Sequence, residues 1–153
     1  MKVPKATKFD PQRWHICTLS KSGFHNWELC KKVGLWGIPT NGRNVRKPEL
    51  QNGDGLIIYA ATRGFIAFCE IVGEVRRPKD KLEAPWAGGV FRYGLILPFE
   101  VVMEFDQPIS AVFSSQKLQG TSITTTQLRK GFSPINTEDG KYLLKTLSTK
   151  QKG

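Results

Sequence analysis

Two apolar runs joined by one tight turn set the strongest constraint on how this chain can fold. Leu56-Ile57-Ile58-Tyr59-Ala60 and the stretch from Phe65 to Val75 each have strand length and strand composition, and Thr62-Arg63-Gly64 between them reads as a hairpin connection. Neither run alternates apolar with polar residues, as a strand with one wet face does. Both faces of their sheet must therefore be covered. Further strands are expected at Trp14–Leu19, at Val90–Leu97 and, after an interruption at Pro98, at Phe99–Phe105. Asn26 reads as the N-cap of a short helix whose Trp27, Cys30 and Val33 recur at helical spacing, and Gly34 stops it. A last helix is expected from Glu138 to Leu147, capped by Asn136 or Thr137, with acidic residues in its first turn. Leu35–Pro39 reads as a rigid loop, Pro108–Leu118 as a short turn or helix, and the Thr-rich Gly120–Lys130 as irregular. Five or six strands with two or three short helices make an α+β domain. A small curved β-barrel flanked by those helices covers both faces and protects the sheet edges.

A length of 153 residues suits one domain. The expected division is a flexible basic arm over 1–12, the domain over 13–147 and a basic tail over 148–153. Lys and Arg number 23 against 13 Asp and Glu, a net charge of +10, which points to a polyanionic partner. The excess is uneven: residues 1–50 hold ten basic and three acidic side chains, whereas residues 51–100 balance. Cys17, Cys30 and Cys69 are odd in number and lack C-x-x-C spacing, so neither a disulfide framework nor a zinc site is expected. Buried thiols suit a reducing cytoplasm. No apolar run reaches membrane-span length, and the first residues lack a signal core. No Gly-rich phosphate loop opens a helix after a strand, which argues against a nucleotide-binding α/β fold. The histidines are His15 and His25. His15 and Cys17 share one strand face, but a core role suits them better than a nucleophilic pair. No enzyme activity, cofactor or metal is expected.

The string Asn26-Trp27-Glu28-Leu29-Cys30-Lys31-Lys32-Val33-Gly34-Leu35-Trp36-Gly37-Ile38-Pro39 resembles the N-W-E helix and W-G-[VI]-P loop of EVE domains in the PUA-like superfamily. Gly53-Asp54-Gly55-Leu56-Ile57-Ile58-Tyr59 is similar to their G-D-x-L strand, and Phe65-Ile66-Ala67 to its partner. Gly88-Gly89-Val90-Phe91 resembles the G-G-V-F strand of the related YTH domains, in which a bulky residue precedes the motif; here Ala87 stands there and Trp86 lies one residue earlier. The resemblance spans roughly residues 13–105. It implies a PUA-like barrel with a pocket that takes one base out of its strand. The implied partner is DNA or RNA carrying a modified base such as N6-methyladenine or a modified cytosine. The favoured role is the DNA-recognition module of a McrB-type modification-dependent restriction protein, with a GTPase motor fused in a longer parent chain. An RNA-binding PUA-type module in RNA modification or turnover is the alternative, and a domain for protein or small ligands, its charge incidental, is a third.

A flipped base has two apolar faces and a polar edge, so its pocket needs aromatic walls and hydrogen-bonding groups. Trp36, Trp86 and Trp14 are the candidate walls, and Trp27 reads as core. Thr18, Ser20 and Asn41 are candidate edge readers, with Thr124–Gln127 as a candidate rim. Arg43, Arg46, Lys47, Arg76, Arg77 and Lys79 are the candidate phosphate contacts, with Lys2, Lys5 and Lys8 adding sequence-independent attraction.

Overall fold

A computed structural model describes residues 9–20, 24–43, 47, 49–86 and 89–152. Strand β1 (Trp14–Leu19) and helix α1 (Asn26–Val33) lie where the sequence places them. His25 holds the cap position of α1, so Asn26 is its first helical residue rather than its cap. Gly34 ends α1 with a left-handed φ of 71°, a conformation that costs glycine little. Leu35–Pro39, expected as a loop, contains instead a short strand, β2 (Leu35–Ile38). β3 (Gly55–Ala60) and β4 (Gly64–Ile71) form the expected hairpin, though β4 stops well before Val75.

The next strand is placed differently from expectation. Gly89–Arg92 is a single helical turn, α2, and β5 (Leu95–Ile109) starts only after it. β5 then runs through Pro98 without a break. Its first residues pair with β2, Leu35 opposite Pro98, and its remainder pairs with β4, Ile71 opposite Phe99. Proline cannot donate to a ladder. It therefore sits at the changeover, where β5 leaves one neighbour for another. A two-strand hairpin, β6 (Phe113–Ser114) and β7 (Lys117–Leu118), follows, then α3 (Thr125–Arg129), β8 (Phe132–Ile135) and α4 (Thr137–Lys152). The Thr124–Gln127 segment is not irregular but opens α3 with a capping box, in which Thr124 and Gln127 satisfy each other's backbone N–H groups.

The main sheet has the order β2-β5-β4-β3-β1-β8, with β1 and β3 parallel and the other pairs antiparallel. Register shifts between Ile58 and Tyr59, and at two points along β4, curl it into a half-barrel. β2 and β8 are its edges among the described residues. They approach through packing: a Cβ on Gly131, just before β8, would lie 3.7 Å from the Pro39 ring, just after β2.

The absence of alternation now has its cause. Leu56, Ile58 and Ala60 face one core with Cys17, Trp27, Trp36 and Trp86, while Ile57 and Tyr59 face a second with Trp14, Phe65, Phe68 and Leu143 of α4. Ile66 and Ala67 share the first core because the irregular pairing between Phe65 and Ala67 turns two successive residues the same way.

His15 is on the same face of β1 as Cys17, stacked on Phe132 with 5.5 Å between ring centroids, its Nε2 3.2 Å from the buried Asp54 carboxylate. Burial lowers its pKa below the ordinary value of 6.5, against the opposing pull of Asp54. The unfolded chain therefore binds a proton more readily than the folded one, and folding stability falls as pH drops from about 6.5 toward the depressed native value. Urea midpoints should fall between pH 7 and pH 5, and His15→Gln should flatten that slope. A slope unchanged by His15→Gln would contradict the assignment. Glu83 does not contribute in this range, because Arg76 holds its carboxyl down at about 2.

Candidate functional site

A cleft of about 700 Å³ opens where the two sheet edges approach. Four elements build it. The end of β1 and the residue after it supply Thr18, Leu19 and Ser20, α1 supplies Asn26 and Cys30, β2 supplies Trp36 and Gly37, and α3 with its following turn supplies Thr125, Leu128, Arg129, Lys130 and Gly131. Trp86 and Tyr93, on either side of α2, complete the wall. Their rings meet edge to face at 5.3 Å. Phe113 of the β6–β7 hairpin reaches the mouth.

Gly37 is the residue that lets these rings come so close. A Cβ there would lie 2.7 Å from Cζ3 of Trp86 and 2.9 Å from Cδ1 of Tyr93. Trp36 and Trp86 both line the cleft, and each is only 4% exposed, so they contribute a small part of their surface to its wall and are held in place by packing on the rest.

Three side-chain polar atoms in this wall are buried without a hydrogen-bond partner in the protein: Thr18 Oγ1, Asn26 Oδ1 and Trp36 Nε1. Trp86 Nε1 is a fourth such atom. Burying one such group unpaired costs about 1–3 kcal/mol, so few are tolerated without a reason. All of these residues line the same cleft, so its wall concentrates polar groups that the protein itself leaves unpaired. The Cys30 thiol is pushed up to about 12 by burial, and burial raises the Cys17 thiol as well. Neither is a ready thiolate.

The structure brings Trp36, Trp86, Thr18 and Ser20 together at the cleft. Trp14 is elsewhere. It is 1% exposed in the second core, edge to face with Phe9 at 5.5 Å and Phe68 at 6.1 Å, under Gly140 of α4. Asn41 is exposed in the turn after β2, with φ at 51°, and does not line the cleft. The expected phosphate contacts divide as well. Arg76 forms a two-pronged pair with Glu83, at 2.8 and 2.9 Å, which ties down its guanidinium. Arg77 and Lys79 are on the same segment, away from the cleft lining, while Arg43 and Lys47 are exposed beside the turn after β2. Arg46 and Lys2, Lys5 and Lys8 lie outside the described residues. The cations at the cleft are instead Arg92, Arg129 and Lys130. Sequence reading also passed over Asn26, Tyr93 and Gly37. The available signal was aromatic density around the G-G-V-F motif, from Trp86 to Tyr93.

Among the described residues, no group of three His, Cys, Asp or Glu side chains is placed to hold a metal ion, and no helix is long and apolar enough to cross a membrane.

A search of curated proteins gives no match. A family model described as "EVE domain" matches residues 12–146. Among solved structures, a hypothetical protein from Leishmania major superposes with a TM-score of 0.63 at 16% identity, covering 94% of this chain and 99% of that one. The apo Toxoplasma CPSF4-YTH domain gives 0.58 at 15% identity, over 97% and 95%. The YTH domain of Zygosaccharomyces rouxii MRB1, solved in complex with N6-methyladenosine RNA, gives 0.57 at 14% identity, over 95% and 93%. At these identities the likeness is one of fold.

Proposed function

Because the chain belongs to the EVE domain family, we propose that it binds nucleic acid and reads a modified base flipped into the cleft between Trp36 and Trp86, without catalysing a reaction. The observation that carries this reading is that Thr18, Asn26 and Trp36, each with a buried polar atom that the protein leaves unpaired, line one cleft together with Trp86 and Tyr93. An aromatic wall stacks on the base, worth roughly 1–3 kcal/mol. The buried polar atoms read its edge. A modifying methyl group packs against the rings. Arg92, Arg129 and Lys130 attract the flanking phosphates. The buried, poorly acidic Cys17 and Cys30 thiols support a binding rather than a nucleophilic role, and three free buried thiols suit the cytoplasm.

Two forms of this reading differ in the sugar. In one the strand is DNA, and the domain is the recognition module of a McrB-type modification-dependent restriction protein that works with a fused GTPase motor. In the other the strand is RNA, and the domain acts in RNA modification or turnover. The N6-methyladenosine RNA bound to the Zygosaccharomyces rouxii YTH domain favours the second form. Fluorescence anisotropy with matched modified and plain DNA and RNA strands across a salt series tests both. Tighter binding of one modified strand, with quenched Trp emission, is expected. Absence of binding to every strand at low salt would refute the reading.

The charge term has its own test. Arg129→Ala with Lys130→Ala should weaken modified and plain strands alike and flatten the slope of log K against log salt by about 1–2, given roughly 0.7 per phosphate contact on a single strand. An unchanged slope would place the strand elsewhere.

A further inference from the structure

We infer that Phe91 is a stacking platform for the nucleotide next to the flipped one, an inference that rests on the base-reading proposal and extends it to the neighbouring position. Phe91 is 71% exposed, although it belongs to the helical turn that leads into the cleft wall. Its ring is not loosely hung. It lies on the backbone of Gly42, so closely that a Cβ there would collide with Cε1 and Cζ of the ring. Gly42 holds a φ of +76°, a conformation that L side chains rarely adopt, and so its bare face is kept free for the ring. The contact is pinned by the main chain: Gly42 N–H donates to Phe91 O at 2.7 Å, and Thr40 and Asn41 N–H both donate to Arg92 O, at 2.7 and 3.0 Å.

The ring is thus seated against a fixed turn while most of its surface stays open to solvent. The next two residues, Arg92 and Tyr93, line the cleft. Phe91 therefore stands within about 7 Å of chain from the wall, a step that one sugar–phosphate unit spans. Arg92 follows Phe91 in the chain and the exposed Arg43 follows Gly42, on which the ring rests, so each side of this contact carries a cation suited to the phosphates of a stacked nucleotide. A preset, open aromatic face beside a base slot, flanked by guanidinium groups, matches the chemistry of a single-stranded nucleobase. The turn after β2, which carries Asn41 and Gly42, thereby acquires a role: it holds the ring rather than touching the flipped base.

The test uses the full chain and short single-stranded DNA and RNA probes with one central N6-methyladenine or 5-methylcytosine. Each probe is also made with an abasic residue at the 5′ or the 3′ neighbour. Phe91→Ala should weaken the intact probe about tenfold, the size of one base–aromatic stack. It should leave affinity unchanged on the probe that lacks the neighbouring base on one side, and Phe91→Trp should restore tight binding. Preference for the modified over the plain base should survive in every variant. If wild-type protein discriminates modified from plain strands but Phe91→Ala matches it, or loses equally on abasic and intact probes, the platform is refuted while the base-reading proposal stands. If wild-type protein binds none of the probes, the base-reading proposal fails and this inference falls with it.

Discussion

Gly37→Ala is expected to lower affinity for the modified strand by about tenfold or more, a loss of at least about 1.4 kcal/mol, while binding of plain strands changes little. The added methyl would land within 2.9 Å of both Trp86 and Tyr93, below any relaxed contact. Trp86 is buried in the wall of the cleft and Tyr93 packs edge to face against it, so relieving one contact drives the ring into the other rather than out of the way. The slot narrows instead. Overpacking of this kind costs folding about 1–3 kcal/mol, so stability is measured in parallel by urea denaturation, and binding is read well below the midpoint. The salt-dependent component depends on Arg92, Arg129 and Lys130 at the mouth, which this change does not touch. Unchanged discrimination in Gly37→Ala would show that the base does not enter between these rings.

The second large effect concerns stability alone. Trp14→Ala should cost about 3–5 kcal/mol, because the indole is 1% exposed and anchors Phe9, Phe68 and α4 in the second core. Gly140→Ala gives a sharper version. Helix propensity alone would make it stabilising by about 0.5–1 kcal/mol. Here the new Cβ would overlap the Trp14 indole, so the urea midpoint should fall instead. Neither change should alter preference for a modified base in protein that remains folded. A rise in the midpoint for Gly140→Ala would mean that α4 is not seated on Trp14.

The tryptophans mark the boundary of what the sequence could tell. β1, α1, the β3–β4 hairpin and the last helix were legible because each is written in local pattern: apolar runs, helical spacing, a stop glycine and an acidic first turn. β2 was not, since four residues bracketed by glycine and proline become a strand only by pairing with β5. α2 was not either. Val90 and Phe91 favour strands by type, and this turn exists because three N–H groups of the 40–42 turn grip its carbonyls. Trp36 and Trp86 were found from their Gly- and Pro-rich surroundings. Trp14 could not be separated from them, because nothing local announces that Gly140 will close over it. Arg76 likewise looked available until the fold set Glu83 beside it.

The most direct measurement concerns the base itself. A strand carrying an isotopically labelled methyl group on its modified base, DNA or RNA as the anisotropy series selects, is titrated with the protein and followed by NMR. Enclosure between indole rings predicts an upfield shift of the methyl resonance and cross-relaxation to ring protons of Trp36 and Trp86. A methyl resonance that binding leaves at its free position, on a strand that the protein demonstrably holds, would contradict the account.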